Sequence, residues 1–133
     1  MSFYPPAPDS GISYLTVDVS SAELLDMFSN PVELVAAPGS GQCISVDKVI
    51  LVYIYGTIAY TQPGNTNIVM NGQNIVQFGN ILNIGGDRIQ QAAPTSVILS
   101  ENSGLFLTNT IGNLTNGDGT VRLFVYYSIL DLN

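Results

Sequence analysis

The chain has no histidine and no tryptophan, a single cysteine, and only three cationic side chains, Lys48, Arg88 and Arg122. Each shortage removes a class of chemistry. Without histidine, neither a Ser-His-Asp nor a Cys-His catalytic arrangement can be assembled, and zinc sites of the Cys/His kind go with them. Cys43, having no second cysteine, cannot form an intramolecular disulfide. It also lacks a histidine to activate it, so it reads as a small buried apolar side chain and not as a nucleophile. Ten acidic residues against three cations give a net charge of −7. Binding a phosphate backbone needs many Lys and Arg, so nucleic acid is not expected as a partner. No phosphate-cradling loop closed by Gly-Lys is present, and Gly85-Gly86 alone reads as flexible loop. No enzymatic activity, metal or cofactor is expected.

Charge of either sign is scarce: charged residues make up 10% of the chain, against about a quarter in typical globular domains. Hydrophobic residues reach 46%, with a mean hydropathy of +0.31. A membrane does not account for this. The longest apolar run, VILVYIYGTIAY (residues 49–60), is broken by Gly56 and Thr57, well short of the roughly 20 residues a spanning helix needs. No membrane partner is expected. The opening MSFYPPAPDSG has neither a basic start nor an apolar stretch, so it does not read as a signal peptide. A charge-poor, apolar chain of this size is expected to hide surface in a homo-oligomer.

Two parts are expected: an extended proline-rich arm over residues 1–11 and one domain over residues 12–133. In the arm, Pro5, Pro6 and Pro8 favour an extended path without internal hydrogen bonds. Phe3 and Tyr4 at its tip are suited to docking, since each ring can bury a large area in a groove. Phe3, Tyr4, Pro5 and Pro6 are therefore expected at a contact with another subunit or a larger partner.

Alternation dominates the rest. ISYLTVDV (residues 12–19) places Leu15, Val17 and Val19 on one face of a strand, with Ile12, Tyr14, Thr16 and Asp18 on the other. Ser20 followed three residues later by Glu23 predicts a capping box, and Leu24, Leu25 and Phe28 an apolar side for one short helix. Asn30-Pro31 ends it. Glu23 and Asp26 share a helix side but read as solvated carboxylates.

From Pro31 onward the pattern is β: PVELVAA, the turn APGSGQ, then CISVDKVILVYIYGTIAY as a long strand or bent pair with Gly56 at the bend. Asn71-Gly72 predicts a type I′ hairpin. NILNIGGDRIQQAAP reads as loop with short strand fragments, SVILSENSGLFLTNT as a hairpin turning at ENSG, and VRLFVYYSILDL as a closing strand. The Asn116-Gly117-Asp118-Gly119 turn has a faint calcium-loop composition, but Leu114 and Val125 would occupy the ligand positions of an EF-hand, which rules that motif out. Eight to ten short strands with frequent turns predict an all-β fold, a single-domain antiparallel β-sandwich or jelly-roll-like barrel.

The two central strands are apolar on both faces. Val49, Leu51, Tyr53 and Tyr55 fall on one side of the first, Ile50, Val52 and Ile54 on the other. In the last strand Leu123, Val125 and Tyr127 oppose Phe124 and Tyr126. Such strands need two cover layers, and a neighbouring subunit is one source of the second. Tyr53 and Tyr55 are expected at such a contact.

The run SAELLDMFSNPVELVAAPGSGQCISVDKVILVYIYGTIAY, followed by SENSGLFLTNT and GDGTVRLFVYYSILDL, resembles a group of small tailed-bacteriophage virion proteins, some of them similar to capsid cement (decoration) proteins. The likeness covers roughly residues 14–132. Ala36, Ala37, Pro38, Gly39 and Gly41 match its turn, and Asp118, Gly119 and Thr120 the start of its last strand; the arm has no counterpart in it. The resemblance implies a non-enzymatic, β-rich subunit, commonly a homotrimer, on the outer capsid surface of the virion. Its partner would be the major capsid protein. A tail, fibre or baseplate component shares nearly every one of these features. A lectin-like host-surface binding module is the alternative from another class, as jelly rolls bind sugars.

Overall fold

Residues 11–95 and 97–133 are described by a computed structural model, in which the alternating segments become strands β1 (Ser13–Val19), β2 (Val32–Val35), β3 (Gln42–Ile54), β4 (Tyr60–Thr61), β5 (Thr66–Met70), β6 (Gln73–Gly79), β7 (Arg88–Ala92), β8 (Leu105–Asn109), β9 (Thr115–Asn116) and β10 (Thr120–Asp131), with one helix, α1 (Ser21–Asp26). Strand accounts for 52% and helix for 5%, so the chain is all-β as its pattern predicts. The arm expected over residues 1–11, with Phe3, Tyr4, Pro5 and Pro6, lies outside the described residues except for Gly11.

Two four-stranded antiparallel sheets carry the fold, in the orders β1-β10-β3-β7 and β2-β8-β5-β6, with β4 and β9 paired separately. Setting the two short strands aside, the pairs β1·β10, β2·β8, β3·β7 and β5·β6 nest one inside the next. A long two-stranded ribbon wrapped around a core leaves its strands in this nested order, the jelly-roll arrangement.

The core follows from register. On the inner side of the first sheet, three rows run straight across: Leu15, Val125, Val49 and Ala92; Val17, Leu123, Leu51 and Gln90; Val19, Val121, Tyr53 and Arg88. Val49, Leu51, Tyr53, Leu123 and Val125 are fully buried there, in one cluster with Leu34, Ile68, Met70, Val76, Phe78, Leu105 and Leu107 of the second sheet. Each large apolar side chain buried in this way contributes roughly 1.5–3 kcal/mol. The second sheet is thus the cover for one face of β3.

Local signals shape the ends. Ser20 caps α1: its Oγ accepts from the Glu23 amide at 3.2 Å, while Glu23 Oε1 accepts from the Ser20 amide at 2.9 Å. Leu24 is the residue this helix buries, and Met27, just past its end, is buried as well. Phe28, expected on its apolar side, is instead 46% exposed. The helix ends at Asp26, so the 3.6-residue period no longer governs where Phe28 points. Asn71 (φ 50°) and Gly72 (φ 77°) form the predicted I′ turn between β5 and β6.

One expected hairpin is absent. Among the described residues before β8, only Glu101 of the turn joins a bridge, the isolated Cys43↔Glu101, and β8 pairs with β2 and β5. The turn residues are engaged elsewhere: the Asn102 amide donates to the Gln42 carbonyl at 2.7 Å, Asn102 Oδ1 accepts from Gly39 at 2.9 Å, and Glu101 Oε2 accepts from Gly41 at 2.6 Å. Those bonds tie ENSG to the APGSGQ turn and leave Ile98 exposed in a non-strand segment.

Candidate functional site

The other face of the first sheet is where the chain leaves apolar surface open. Its rows interleave with the buried ones: Tyr14, Tyr126 and Lys48; Thr16, Phe124, Ile50 and Gln91; Asp18, Arg122, Val52 and Ile89. Tyr14 is 57% exposed and stacks on Tyr126, with ring centroids 5.1 Å apart and planes 14° apart, and more loosely on Phe124 at 6.3 Å. The Lys48 ammonium sits 4.8 Å from the Tyr126 ring centroid, in the position of a cation–π contact. Ile54 and Ile89 are exposed, and Ile50, Val52, Phe124 and Tyr126 are half-buried.

Near the α1 end of this face lies an open cavity of about 540 Å³, lined among others by Val52, Ile54, Val121 and Phe124, with Asp18 and Arg122 at its side. Asp18 and Arg122 face each other directly across β1 and β10. Arg122 Nε donates to Asp18 Oδ1 at 2.6 Å and Nη2 to Oδ2 at 3.3 Å, a two-pronged pair. The hydrogen bond from Arg122 holds the Asp18 carboxyl below the usual carboxylate range, and the carboxylate in turn raises the guanidinium. Both side chains are largely exposed, so the pair fixes strand register more than it stabilises the fold. Chemically this face offers stacking rings, β-branched aliphatics and one neutralised ion pair. That composition suits contact with another protein surface.

Tyr53 and Tyr55, expected together at an oligomer or capsid contact, part company. Tyr53 is fully buried. Its ring packs beside Tyr60, centroids 6.2 Å apart, and presents nothing to a second subunit; this corrects the expectation for that residue. The reason is parity: Tyr53 shares the phase of Val49 and Leu51, the side the second sheet covers. Tyr55 follows the end of β3 and is half-buried. Its hydroxyl donates to the Thr57 carbonyl at 2.8 Å and its amide to Asp87 Oδ1 at 2.9 Å, so it braces the turn while part of its ring stays accessible.

The remaining candidates have local duties. Glu23 caps α1, and Asp26 Oδ2 accepts from the Asn30 side chain at 2.7 Å. Cys43 is buried. Asp118, in the turn with the faint calcium-loop composition, accepts from the amides of Thr57 and Ile58 and from the Thr57 hydroxyl. Those bonds hold its carboxyl below the usual range. Among the described residues, no three Cys, Asp or Glu side chains gather closely enough to hold a metal ion, and no helix is long and apolar enough to cross a membrane.

Tyr14, Phe124 and Tyr126 were not singled out by sequence reasoning as contact residues. The signal was present, because Phe124 and Tyr126 occupy the phase opposite the buried Leu123 and Val125. What was missing was the pairing of β1 with β10 that brings the three rings together. No family model matches the chain, and no curated protein or solved structure matches it.

Proposed function

We propose that this chain is a non-enzymatic structural protein of a tailed-phage virion, a cement (decoration) subunit that binds the outside of the assembled capsid and bridges coat subunits. The observation that carries the reading is the outer face of β1, β10, β3 and β7. Tyr14, Phe124, Tyr126, Ile50, Val52, Ile54 and Ile89 leave a broad apolar and aromatic surface there. Ser20 and Glu23 at the start of α1 border it at one end. Soluble monomers rarely leave such a patch open, and its natural cover is another protein. A homotrimer would close part of it, and the major capsid protein would take the rest. Symmetric oligomers match the repeated sites of a shell, and a subunit that binds only the assembled shell stabilises it by mass action. A jelly roll is shared by capsid and lectin domains alike, so the surface and the resemblance carry this reading and the fold does not.

The test is the copy number of this chain relative to the major coat protein in purified particles, by quantitative mass spectrometry. Abundance equal to coat, or a simple fraction of it, is the expected result. A few copies per particle would move the chain to the tail, fibre or baseplate. Its absence from particles would overturn the virion reading and favour a lectin-like binding module.

A further inference from the structure

A second apolar feature lies in the loop after β8, and its backbone is under strain. Ile111 has φ 75° and is 75% exposed. The Gly112 amide donates to the Thr110 carbonyl at 2.8 Å, closing a three-residue turn around it. A γ-turn with positive φ is the rare, strained form, and a β-branched residue in that region is an outlier. Glycine or asparagine would adopt the same φ at lower cost. The isoleucine side chain gains little from its own fold in exchange: its Cγ1 lies beside Gly64, and most of the residue faces water.

The turn is held in place by buried amides. Asn109 and Gln62 are both buried. Asn109 Nδ2 donates to the carbonyls of Thr110 and Gly112, each at 2.9 Å, and to that of Pro63. Gln62 Nε2 donates to Asn109 Oδ1 at 2.9 Å, and Gln62 Oε1 accepts from the Leu82 amide at 3.0 Å. Asn65 and Thr110 exchange two further bonds of 2.8 Å. A strained conformation persists only where its surroundings over-determine it, and such conformations cluster at functional positions.

Phe28, exposed just past the end of α1, is tied to the same loop. Asn113 Oδ1 accepts from the amides of Phe28 and Ser29 at 3.0 and 3.1 Å, and Asn113 Nδ2 donates to Ser29 Oγ at 2.8 Å. The three segments that meet here, residues 27–30, 62–65 and 109–114, contain no charged residue, in a chain of net charge −7. Depletion of charge around an apolar anchor is the composition of an interface core. A lipid surface fits less well, because anionic leaflets repel so acidic a chain.

We propose that Ile111, on the loop to which Asn113 ties Phe28, is a preorganised docking knob that inserts into an uncharged apolar pocket of the coat-protein shell. The identity of that partner rests on the cement reading above. The strain is the means by which one apolar side chain is projected in a fixed direction, so that little freedom is lost on binding.

Shells of major coat protein assembled without this chain are the probe, with wild type, Ile111→Gly, Ile111→Asn and Ile111→Val compared for binding and thermal unfolding. Ile111→Gly and Ile111→Asn should melt higher than wild type, by about 4 °C as strain is released, yet bind shells about thirtyfold more weakly, the loss a hot-spot anchor shows. Ile111→Val should bind nearly as wild type does. Glycine and asparagine variants that bind like wild type would overturn the knob and leave the cement reading standing. Wild type that fails to bind shells would remove the cement reading and the knob's partner with it. Binding to neutral phosphatidylcholine vesicles that is lost in Ile111→Asn would replace the protein pocket with a lipid surface.

Discussion

The Asp118 carboxylate and the Thr57 amide, 61 residues apart in sequence, meet at 2.8 Å, and the Ile58 amide donates to the same oxygen at 2.9 Å. This contact fastens the turn after β3 to the start of β10. It also explains Gly56, where a Cβ would lie 2.5 Å from Asp118 Oδ1. Asp118→Ala leaves both amides without this acceptor and should lower the melting temperature at neutral pH. The pH dependence has a definite sign. A carboxyl whose folded pKa lies below its ordinary 3.8 contributes stability that is complete above that value and lost as pH falls through the folded pKa. Wild type and Asp118→Asn should therefore differ most at neutral pH and converge in strong acid, as read by thermal melts across pH.

Tyr53 gives a prediction in the opposite direction. Its hydroxyl is buried without a hydrogen-bond partner, a state that costs about 1–3 kcal/mol. Tyr53→Phe should therefore stabilise the fold by about 1 kcal/mol in urea denaturation and leave any oligomer unchanged in size. A variant that dissociates the oligomer would put Tyr53 at an interface after all.

Tyr60, beside it, should govern alkaline unfolding. Burial, reinforced by Tyr53 and Asp118, pushes its phenol from 10.0 up to about 12, and its hydroxyl donates to the Gly119 carbonyl. The folded state then holds a proton that the unfolded state releases, so stability falls as pH rises from about 10 to about 12, by on the order of 3 kcal/mol. Tyr60→Phe should flatten that loss in denaturation curves recorded at pH 9 to 12.

On the outer face, Tyr14→Ser removes the exposed ring that stacks on Tyr126. The fold should lose no more than about 1 kcal/mol, in the range of an aromatic pair. Under the proposed cement reading, attachment to capsids or oligomer formation should fall, as followed by co-sedimentation and by analytical ultracentrifugation. Undiminished attachment with intact oligomers would place the contact elsewhere.

Features carried by a few adjacent residues were legible in the sequence. The Ser20–Glu23 capping box and the Asn71-Gly72 turn depend on local geometry alone, and both stand in the structure. So did the all-β class, since period-2 alternation survives whatever the strands pair with. Parity put Val49, Leu51 and Tyr53 on one face, but it could not say which face the second sheet would cover. The hairpin at ENSG failed because Asn102 and Glu101 bond to the distant turn at residues 39–42, a choice made by tertiary structure. Ile111 gave no warning: its strain comes from the amides of Asn109 and Gln62 and from Asn65, whose meeting is a product of the fold.

The nested strand order also sets a schedule for synthesis. β10 lies between β1 and β3, so the first sheet has no middle until the residues of β10 leave the ribosome. Until then β1 lacks the strand it pairs with among the described residues, and β3, among the most apolar segments of the chain, presents an unpaired edge. Pairings that must wait for a distant segment are slow to form and open to misassembly. A ribosome stalled before residue 120 would therefore hold a chain with the facing edges of β1 and β3 unpaired.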